Sequence, residues 1–469
     1  MSFLDRLAAV VGPANLLTGA DCAPYGRDWM GEYQWQPLAV VRPASRDEVA
    51  AVLRLANAEK VPVVPIAGRT GITGAGHAEG ALVLSVERLN RIREIKPQAR
   101  LAVVEAGVIL STLHEAADAQ GLYFPLWFGA RGSAMIGGVL STNAGGSNLL
   151  RYGSTRALCL GIEVVLADGR VMNLMSELHK DNTGYDLKQL FIGAEGTLGV
   201  ITAAVMKLVP APRAHATAML AVPSLDAALL LLNRLQEATG GLVEGFEFMP
   251  RSYQERLQQT CPHLGLPFDR VHDVTILVEL GATAPRDVTV AEDGTVPIVS
   301  LLEETLGGML EEGLVIDAYL ARSEAQREAI WARREAAAEI MLGLAHSIDT
   351  DVSVPVDQVG AFLERAIRQL GVLDPGATTV TVAHLGDGNL HYSVIPTTGD
   401  KALKERVVEG VEDIVADLHG SFSAEHGIGL AKKASMRRRK DPVALEVMRT
   451  LKAALDPGGI MNPGKVLPD

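Results

Sequence analysis

Runs of apolar residues predict strands in the first half of the chain. Residues 38–41 and 61–65 are two such runs, and residues 162–166 are a third. Between the first two, Ser45-Arg-Asp-Glu48 predicts a capping box for a helix whose apolar positions, beginning at Val49, lie on one face. We therefore expect the chain to open with a β-α-β unit.

The pattern changes at about residue 213, where strands and helices mix without Gly-rich loops. Strands are predicted at residues 217–222 and 273–279, and helices at residues 224–238 and 325–344. Such a mixture is typical of an α+β domain. A last helix is predicted at residues 441–456, because Asp and Pro begin it and Pro-Gly-Gly follows it.

Two short β-runs, residues 380–383 and 392–395, flank a turn sequence that contains Gly-Asp-Gly-Asn. The turn residues predict a hairpin, with His384 and His391 as cross-strand neighbours. On one straight strand these two imidazoles would lie on opposite faces, whereas a hairpin brings them within reach of one ion. The sequence therefore predicts a two-histidine metal site.

A carboxylate and a third imidazole follow 34 residues later, in Glu425-His426-Gly-Ile-Gly429. Two imidazoles and the Glu425 carboxylate form a ligand set that leaves one coordination position open for water or substrate. His426 is then available as a base, and its glycines allow a ligand to approach the backbone. Histidines in hydrogen-bonded core positions are the alternative, but three of the 11 histidines lie in these two Gly-rich segments.

Three Gly-rich stretches lie in the first half of the chain, at residues 68–76, 129–146 and 181–199. Such loops can direct backbone N–H groups at phosphate oxygens, although plain solvent loops are the alternative for any one of them. None has the G-x-G-x-x-G spacing in front of a helix, which disfavours a nicotinamide Rossmann site. Together they predict a long, flat ligand.

The composition narrows the class of protein. With 469 residues and 48% apolar content, two or three globular domains are expected. The net charge of -13 argues against nucleic-acid binding, and residues 432–440 are the only basic run, either a solvated face or a patch for an acidic partner. Three cysteines without metal-type spacing and no long apolar stretch predict a soluble, cytoplasmic protein without an integral membrane segment.

Four motifs in this order carry a family resemblance: Thr142-Asn-Ala-Gly-Gly146, residues 181–187 with Gly196-Thr-Leu-Gly199, residues 384–391, and residues 423–429. From about Pro37 to Leu467 the chain resembles the FAD-dependent D-2-hydroxy acid dehydrogenases of the vanillyl-alcohol oxidase superfamily, which has a PCMH-type FAD domain. This group includes D-lactate and D-2-hydroxyglutarate dehydrogenases and glycolate oxidase subunits.

The resemblance implies an α+β fold in three parts. Residues 1–212 would form the PCMH-type FAD-binding domain, and residues 213–424 an α+β, ferredoxin-like substrate cap that carries the hairpin. Residues 425–469 would return to the FAD domain and complete the active site.

The resemblance also implies site residues. FAD would be held non-covalently, with these contacts: Pro65, Gly68, Arg69, Thr70, Gly71, Thr73, Gly74, Ser133, Ile136, Gly137, Gly138, Thr142, Asn143, Gly145, Gly146, Tyr152, Gly153, Glu195, Gly196, Gly199, Ile201, Asn389 and Asn462. A divalent metal, usually Zn²⁺ in this family, would bind His384, His391 and Glu425. It would hold the carboxylate and hydroxyl oxygens of a D-2-hydroxy acid while His426 takes the hydroxyl proton and hydride passes to flavin N5.

Arg334 matches the family arginine that holds the substrate carboxylate, a task that suits a bidentate guanidinium. The alternative for Arg334 is an i,i+4 pair on a charged helix surface, where Glu335 is its neighbour.

The far end of the substrate is less defined. Relatives that act on D-2-hydroxyglutarate tend to carry Thr, Lys and Asn where this chain has Ala338, Asp349 and Ser393. An aspartate in place of a cation would repel a second carboxylate, so D-lactate is expected and D-2-hydroxyglutarate is the alternative. Arg333 or His346 could still supply the missing charge.

The partners expected from the resemblance are a small D-2-hydroxy acid and a separate electron acceptor, such as an electron-transfer flavoprotein, a quinone or a cytochrome. A homodimer is left open. Two other functions are kept as alternatives, a non-redox flavin transferase and a non-catalytic flavoprotein subunit.

Overall fold

A computed structural model describes residues 1–341, 344 and 346–468. The chain folds into two compact units. The first unit contains residues 1–146, 153–210 and 425–469, and the second contains residues 147–152 and 211–424. The segment 147–152 thus belongs to the second unit, although it lies within the predicted FAD domain in sequence.

The first unit opens with a four-stranded sheet in the order Leu16–Leu17, Ala39–Val41, Leu82–Ser85, Val63–Ile66. The expected β-α-β unit is present, because Ala39–Val41 and Val63–Ile66 both run parallel to Leu82–Ser85. The later strand lies between them, which the local pattern did not predict.

Only half of the predicted capping box forms at the helix Arg46–Glu59. The Glu48 amide donates to Ser45 Oγ at 3.2 Å, as expected for an N-cap. The Glu48 carboxylate, however, accepts from the Ala44 amide at 2.8 Å instead of returning to Ser45.

A five-stranded antiparallel sheet forms the rest of the first unit's framework, in the order Ile92–Lys96, Leu101–Glu105, Val200–Lys207, Cys159–Val165, Val171–Leu174. The central strand Val200–Lys207 is almost entirely buried, as its apolar sequence predicts. A small sheet pairs Leu122–Tyr123 with Val209–Pro210. The α-helices of this unit are Phe3–Val11, Arg46–Glu59, Leu110–Asp118, Ile136–Thr142, Thr155–Leu158, Lys188–Phe191, Lys433–Arg439 and Pro442–Leu455.

The second unit is built on one seven-stranded antiparallel sheet. Its strand order is Asp317–Leu320, Ala214–Val222, Val274–Ala282, Val243–Pro250, Thr378–His384, Asn389–Ile395, Ile348–Ser353. The helices of this unit are Leu149–Tyr152, Leu225–Thr239, Arg251–Thr260, Pro285–Val288, Pro297–Glu311, Glu324–Glu335, Ala337–Met341, Val359–Leu373 and Lys401–Asp417.

Each face of this sheet has its own core. One face packs through Phe246 and Tyr392 on a large cluster that includes Phe362. The other face packs on a smaller cluster around Tyr253. Successive side chains of each strand point to opposite faces of the sheet. Strand register therefore determines which polar side chains become neighbours on the face that carries Tyr253.

The single helix predicted at residues 325–344 is instead two helices, Glu324–Glu335 and Ala337–Met341. The Tyr253 hydroxyl donates to the carbonyl oxygens of Arg333 at 2.6 Å and Arg334 at 3.3 Å. In an uninterrupted helix those carbonyls would accept from the amides four residues later, so Tyr253 competes with helix continuation. Residues 342 and 343 of the predicted helix lie outside the described residues.

The three cysteines, Cys22, Cys159 and Cys261, are free and buried. Over the described residues, no helix combines the length and the apolar character needed to cross a membrane.

Candidate active site

The hairpin that carries the two predicted metal ligands is present. Thr378–His384 pairs with Asn389–Ile395, and His384 lies opposite Asn389 while His391 lies opposite Val382. The histidines are therefore cross-strand neighbours, as predicted, in a diagonal arrangement on one sheet face. Their ring centroids are 5.5 Å apart with an interplanar angle of 81°.

A buried carboxylate orients the first histidine. Glu247, on the neighbouring strand Val243–Pro250, lies opposite His384 in the sheet and is fully buried. His384 Nδ1 and Glu247 Oε1 are 2.7 Å apart. Because an ionised carboxylate only accepts, the proton belongs on Nδ1, and Nε2 is left with a lone pair for an ion.

The same carboxylate holds the predicted substrate-binding arginine. Arg334 Nε donates to Glu247 Oε2 at 2.7 Å, and Arg334 is buried. The alternative of an exposed i,i+4 surface pair for Arg334 is therefore wrong. Burial alone would raise the pKa of Glu247, but electrostatic interactions and hydrogen bonds with His384 and Arg334 lower it to about 2.

An acidic group also lies beside the second histidine. Asp351 is opposite His391 in the sheet, buried, and has its Oδ1 4.0 Å from His391 Nδ1. Asn389 donates through Nδ2 to Asp351 Oδ1 at 3.0 Å. Asn389 Oδ1 is buried and accepts no hydrogen bond from the described residues, so it is available to a further donor.

Glu425 follows a residue whose backbone is hydrogen-bonded to the strand that contains Asp351. The Ala424 amide donates to the Asp351 carbonyl oxygen at 3.3 Å, and Glu425 follows by one peptide bond. Within the first unit, Glu425 Oε1 lies against Gly145, where a Cβ would be only 2.6 Å from that oxygen. Glycine at 145 therefore leaves room for the Glu425 carboxylate.

The Gly-rich loops of the first unit pack backbone against backbone. A Cβ at Gly68 would lie 2.2 Å from the Ser133 carbonyl oxygen, so these two loops can touch only without a side chain. Gly196, at φ +71°, packs on the Pro65 ring. The structure thus brings together residues from all three Gly-rich stretches.

The last part of the chain is attached to these loops. Buried Glu195 accepts from the Ile428 amide at 2.7 Å and the Gly429 amide at 2.9 Å. Burial raises the pKa of Glu195, and these two amides partly oppose that shift. Asn462 Nδ2 donates to the Glu195 carbonyl oxygen at 2.7 Å, while Asn462 Oδ1 is buried without a donor among the described residues.

His426, the candidate base, is positioned through its backbone. Thr73 Oγ1 donates to the His426 carbonyl oxygen at 3.4 Å. The Leu430 amide in turn donates to the Thr73 carbonyl oxygen at 2.9 Å. Gly427 has φ +77°, and a Cβ there would lie 2.8 Å from Glu195 Oε1, so this turn requires glycine.

Most other predicted FAD contacts belong to the first unit. The loop after the strand Val63–Ile66 carries Arg69, Thr70, Gly71 and Gly74, the helix Ile136–Thr142 carries Gly137, Gly138 and Thr142, and the following turn carries Asn143 and Gly146. Gly153 precedes the helix Thr155–Leu158, Gly199 precedes the strand Val200–Lys207, and Ile201 lies on it.

Two predicted FAD contacts lie in the second unit. Asn389 is on the hairpin, and the Tyr152 hydroxyl donates to Glu244 Oε1 at 2.5 Å. Residues 181–187 are exposed throughout, with Tyr185 93% exposed. That part of the third Gly-rich stretch does not line the packed loops.

Sequence reasoning missed Glu247 and Asp351. A signal for Glu247 was the presence of acidic residues among apolar ones in the segment Val243–Pro250, which carries Glu244 and Glu247. A buried charge of this kind must be paired, so it marks a position with a partner elsewhere in the chain.

Family models match both parts of the chain. Residues 37–175 match an FAD binding domain, and residues 211–466, more than half of the chain, match the C-terminal domain of FAD linked oxidases. This chain belongs to the FAD-linked oxidase family. The resemblance expected from the four motifs is thereby confirmed, as is the nature of the flat ligand, FAD.

Relatives of this FAD-linked oxidase span nearly the whole chain. D-2-hydroxyglutarate dehydrogenase of Stutzerimonas stutzeri is 35% identical, covering 99% of this chain and 98% of the relative. The mitochondrial D-2-hydroxyglutarate dehydrogenase of Bos taurus is 36% identical, covering 99% and 84%. A D-2-hydroxyglutarate–pyruvate transhydrogenase of Saccharomyces cerevisiae is 30% identical, covering 95% and 90%.

Solved structures with the same fold have more distant sequences. Alkyldihydroxyacetonephosphate synthase matches with a TM-score of 0.74 at 18% identity, covering 99% of this chain and 86% of the other. p-Cresol methylhydroxylase matches with a TM-score of 0.74 at 15% identity, covering 99% and 96%. These likenesses confirm the predicted α+β fold with a PCMH-type FAD domain.

Proposed function

We propose that this protein is an FAD-dependent dehydrogenase that oxidises D-2-hydroxyglutarate to the 2-oxo acid. Membership of the FAD-linked oxidases and the names of the full-length relatives support this proposal. The observation that carries it is the arrangement at Glu247, where one buried carboxylate contacts a hairpin histidine and an arginine suited to a carboxylate.

The first unit has features that suit FAD. Two Gly-rich loops pack backbone against backbone at Gly68, which suits loops that direct N–H groups at a phosphate, and Asn462 has a buried carbonyl oxygen that lacks a donor among the described residues. We propose that FAD is held non-covalently by the residues predicted from the motifs, most of which belong to this unit. When bound, FAD supplies the hydride acceptor.

The hairpin has features that suit a divalent metal. The Nδ1 contact to Glu247 directs His384 Nε2 outward as a ligand, as found for most metal-binding histidines. We propose His384, His391 and Glu425 as ligands, with Zn²⁺ as the ion. Two histidines and one carboxylate keep a position open for substrate, and the ion, when bound, supplies Lewis acidity.

The remaining steps belong to side chains of this protein. Arg334 would hold the substrate carboxylate through the guanidinium N–H groups that Glu247 does not use. His426, placed by its backbone contact to Thr73, would take the proton of the substrate hydroxyl.

D-Lactate, the substrate expected from the sequence, is the second candidate. One observation favours it: Asp349 lies on the same sheet face as His391, opposite Ser393, where an anion would repel a second carboxylate. The relatives favour D-2-hydroxyglutarate. Arg333 and His346 are the two residues that could supply a positive charge in place of the lysine found in D-2-hydroxyglutarate dehydrogenases. The Arg333 guanidinium donates to the carbonyl oxygens of Gly265 and Ala329.

Anaerobic mixing tests the proposed reaction. D-2-Hydroxyglutarate should bleach the visible flavin absorbance of the purified protein, and L-2-hydroxyglutarate should not. D-Lactate serves as the second substrate in the same series. Absence of bleaching with either D-acid would contradict the dehydrogenase assignment and favour a non-redox transferase or a non-catalytic subunit.

The electron acceptor is tested with the reduced protein. An electron-transfer flavoprotein, a quinone and a cytochrome are the proposed acceptors. The yeast relative's name adds pyruvate as a candidate, because a transhydrogenase passes the electrons to a second 2-oxo acid. The acceptor that restores the visible flavin absorbance fastest identifies the class.

A further inference from the structure

We propose that Glu247 is a positioning residue that couples metal binding at His384 to binding of the substrate carboxylate at Arg334. This inference rests on the proposed function, and it adds a residue that contacts neither the substrate nor the ion. Its basis is a three-residue chain of contacts within the second unit.

Glu247 divides its two carboxylate oxygens between two partners. Oε1 lies 2.7 Å from His384 Nδ1, and Oε2 lies 2.7 Å from Arg334 Nε. Glu247 is 0% exposed, so no water substitutes for either contact at the carboxylate. A movement of one partner must therefore be accommodated by the carboxylate or by the other partner.

The contact to His384 fixes both the tautomer and the ring orientation. With the proton on Nδ1, Nε2 carries the lone pair that a metal ion would take, and the nearby negative charge increases its basicity. The contact to Arg334 is made through Nε–H, and the guanidinium has four further N–H donors on its two amino groups. The Glu247 carboxylate thus orients both the His384 Nε2 atom, which would bind the metal, and the Arg334 guanidinium, which would bind the substrate carboxylate.

A second glutamate on the same sheet face is paired with the same helix but lacks a hairpin histidine. Glu279 is also buried, and Arg327 from the same helix contacts both of its oxygens through Nε and Nη2, each at 2.7 Å. Trp331 Nε1 adds a third donor at 2.8 Å. The Thr217 hydroxyl is a fourth donor at 2.6 Å, and Glu279 contacts neither hairpin histidine, which makes it a matched control for the hairpin site. Because Glu279 also lies with His215 and Glu244 in a group that could hold an ion, the comparison is made on the zinc affinity of the hairpin site.

The experiment compares Glu247→Gln with Glu279→Gln in the full-length, flavin-loaded protein. Each protein is equilibrated at a series of buffered free Zn²⁺ concentrations, and bound zinc is measured by atomic emission. We expect Glu247→Gln to weaken zinc binding about 10- to 100-fold, the usual effect of removing a histidine's outer partner. Glu279→Gln should bind zinc as the unaltered protein does, although both changes remove a buried charge.

A third variant separates positioning from simple charge balance. Arg334→Met removes the other partner of Glu247 and leaves its contact to His384 in place. Zinc binding should then be retained, while KM for D-2-hydroxyglutarate rises. Equal loss of zinc from Arg334→Met and Glu247→Gln would overturn the proposal, because Glu247 would then act only as the counter-ion of Arg334.

The remaining outcomes are also decisive. If Glu247→Gln fails to fold, Glu247→Asp keeps the charge but is one methylene too short for both contacts, and zinc binding should again weaken. Zinc binding by either Glu247 variant equal to that of the unaltered protein overturns the proposal, as does an unaltered protein that binds no zinc. Flavin bleaching by D-2-hydroxyglutarate in the unaltered protein is scored separately, so failure of the reaction is distinguished from failure of the coupling.

Discussion

At the scale of single residues, the candidate chemistry depends on side chains whose partners are far away in sequence. Glu247 contacts His384 across 137 positions, and Thr73 contacts the His426 backbone across 353. The first contact decides which nitrogen of His384 carries the proton, and the second holds the backbone of the turn that contains His426. Two substitutions test the roles of individual residues.

Replacing His426 by Ala should lower the rate of anaerobic flavin reduction about 10²- to 10⁴-fold, the usual contribution of a positioned base. Its backbone contact to Thr73 is retained, so flavin and zinc contents should not change. Stopped-flow absorbance measures the rate, and His263→Ala, at an exposed position, is the control. A reduction rate equal to that of the control would remove His426 from the mechanism.

Replacing Asp349 by Asn should favour the dicarboxylate over D-lactate. Asp349 and Asp351 are two residues apart on one strand, so Asp349 lies roughly 7 Å along the strand from the position opposite His391. Removing its charge should lower KM for D-2-hydroxyglutarate and leave KM for D-lactate nearly constant. An unchanged ratio of the two kcat/KM values would show that Asp349 does not face the distal end of the substrate.

At the scale of elements, loops and turns determine where the ligand atoms come from. The hairpin was predicted from local turn residues, whereas the diagonal placement of its histidines follows from a four-residue connection, Leu385 to Gly388, between the paired strands. The break between Glu324–Glu335 and Ala337–Met341 arises from Tyr253, which lies on a different helix. Gly68 likewise determines a contact between elements, because its lack of a side chain allows its loop to touch the loop that contains Ser133.

Replacing Gly145 by Ala should displace the Glu425 carboxylate, because the new Cβ would lie 2.6 Å from Oε1. We expect weaker zinc binding and slower flavin reduction per bound flavin, and flavin content is measured alongside because Gly145 is also a predicted FAD contact. Zinc content and reduction rate are the measurements. Gly129→Ala is the control, since a Cβ there meets nothing within 4 Å. Equal zinc binding by both variants would argue against Glu425 as a ligand.

At the scale of the whole molecule, the two units divide the proposed chemistry. The Gly-rich loops, Glu195 and the His426 turn belong to the first unit, and the hairpin with Glu247 and Arg334 belongs to the second. Of the three proposed metal ligands, Glu425 belongs to the first unit and the two histidines to the second, whereas most proposed flavin contacts belong to the first. Removal of the metal is therefore expected to leave the flavin bound.

Removal of the metal by a chelator should abolish turnover of D-2-hydroxyglutarate and leave the flavin bound. Addition of Zn²⁺ should restore turnover, because the ion supplies the Lewis acid that the side chains lack. Turnover with a dye acceptor and the visible flavin spectrum are the readouts, before and after each treatment. Activity that responds to neither treatment would exclude His384, His391 and Glu425 from the reaction.

The sequence by itself determined the parts of this protein that depend on local chemistry. Turn residues and apolar alternation predicted the hairpin around His384 and His391, and glycine spacing predicted loops without side chains at the ligand. Motif order predicted the family. These features depend only on residues that are close together in sequence, so they can be predicted without the tertiary structure.

Only the tertiary structure decided how those parts are completed. Strand order placed Glu247 opposite His384 and Asp351 opposite His391, and helix Glu324–Glu335 placed Arg334 on the same carboxylate. A buried glutamate in an apolar strand shows that a partner must exist, but not which one. The choice of partner is made by long-range strand pairing, because it depends on register between segments that local pattern cannot align.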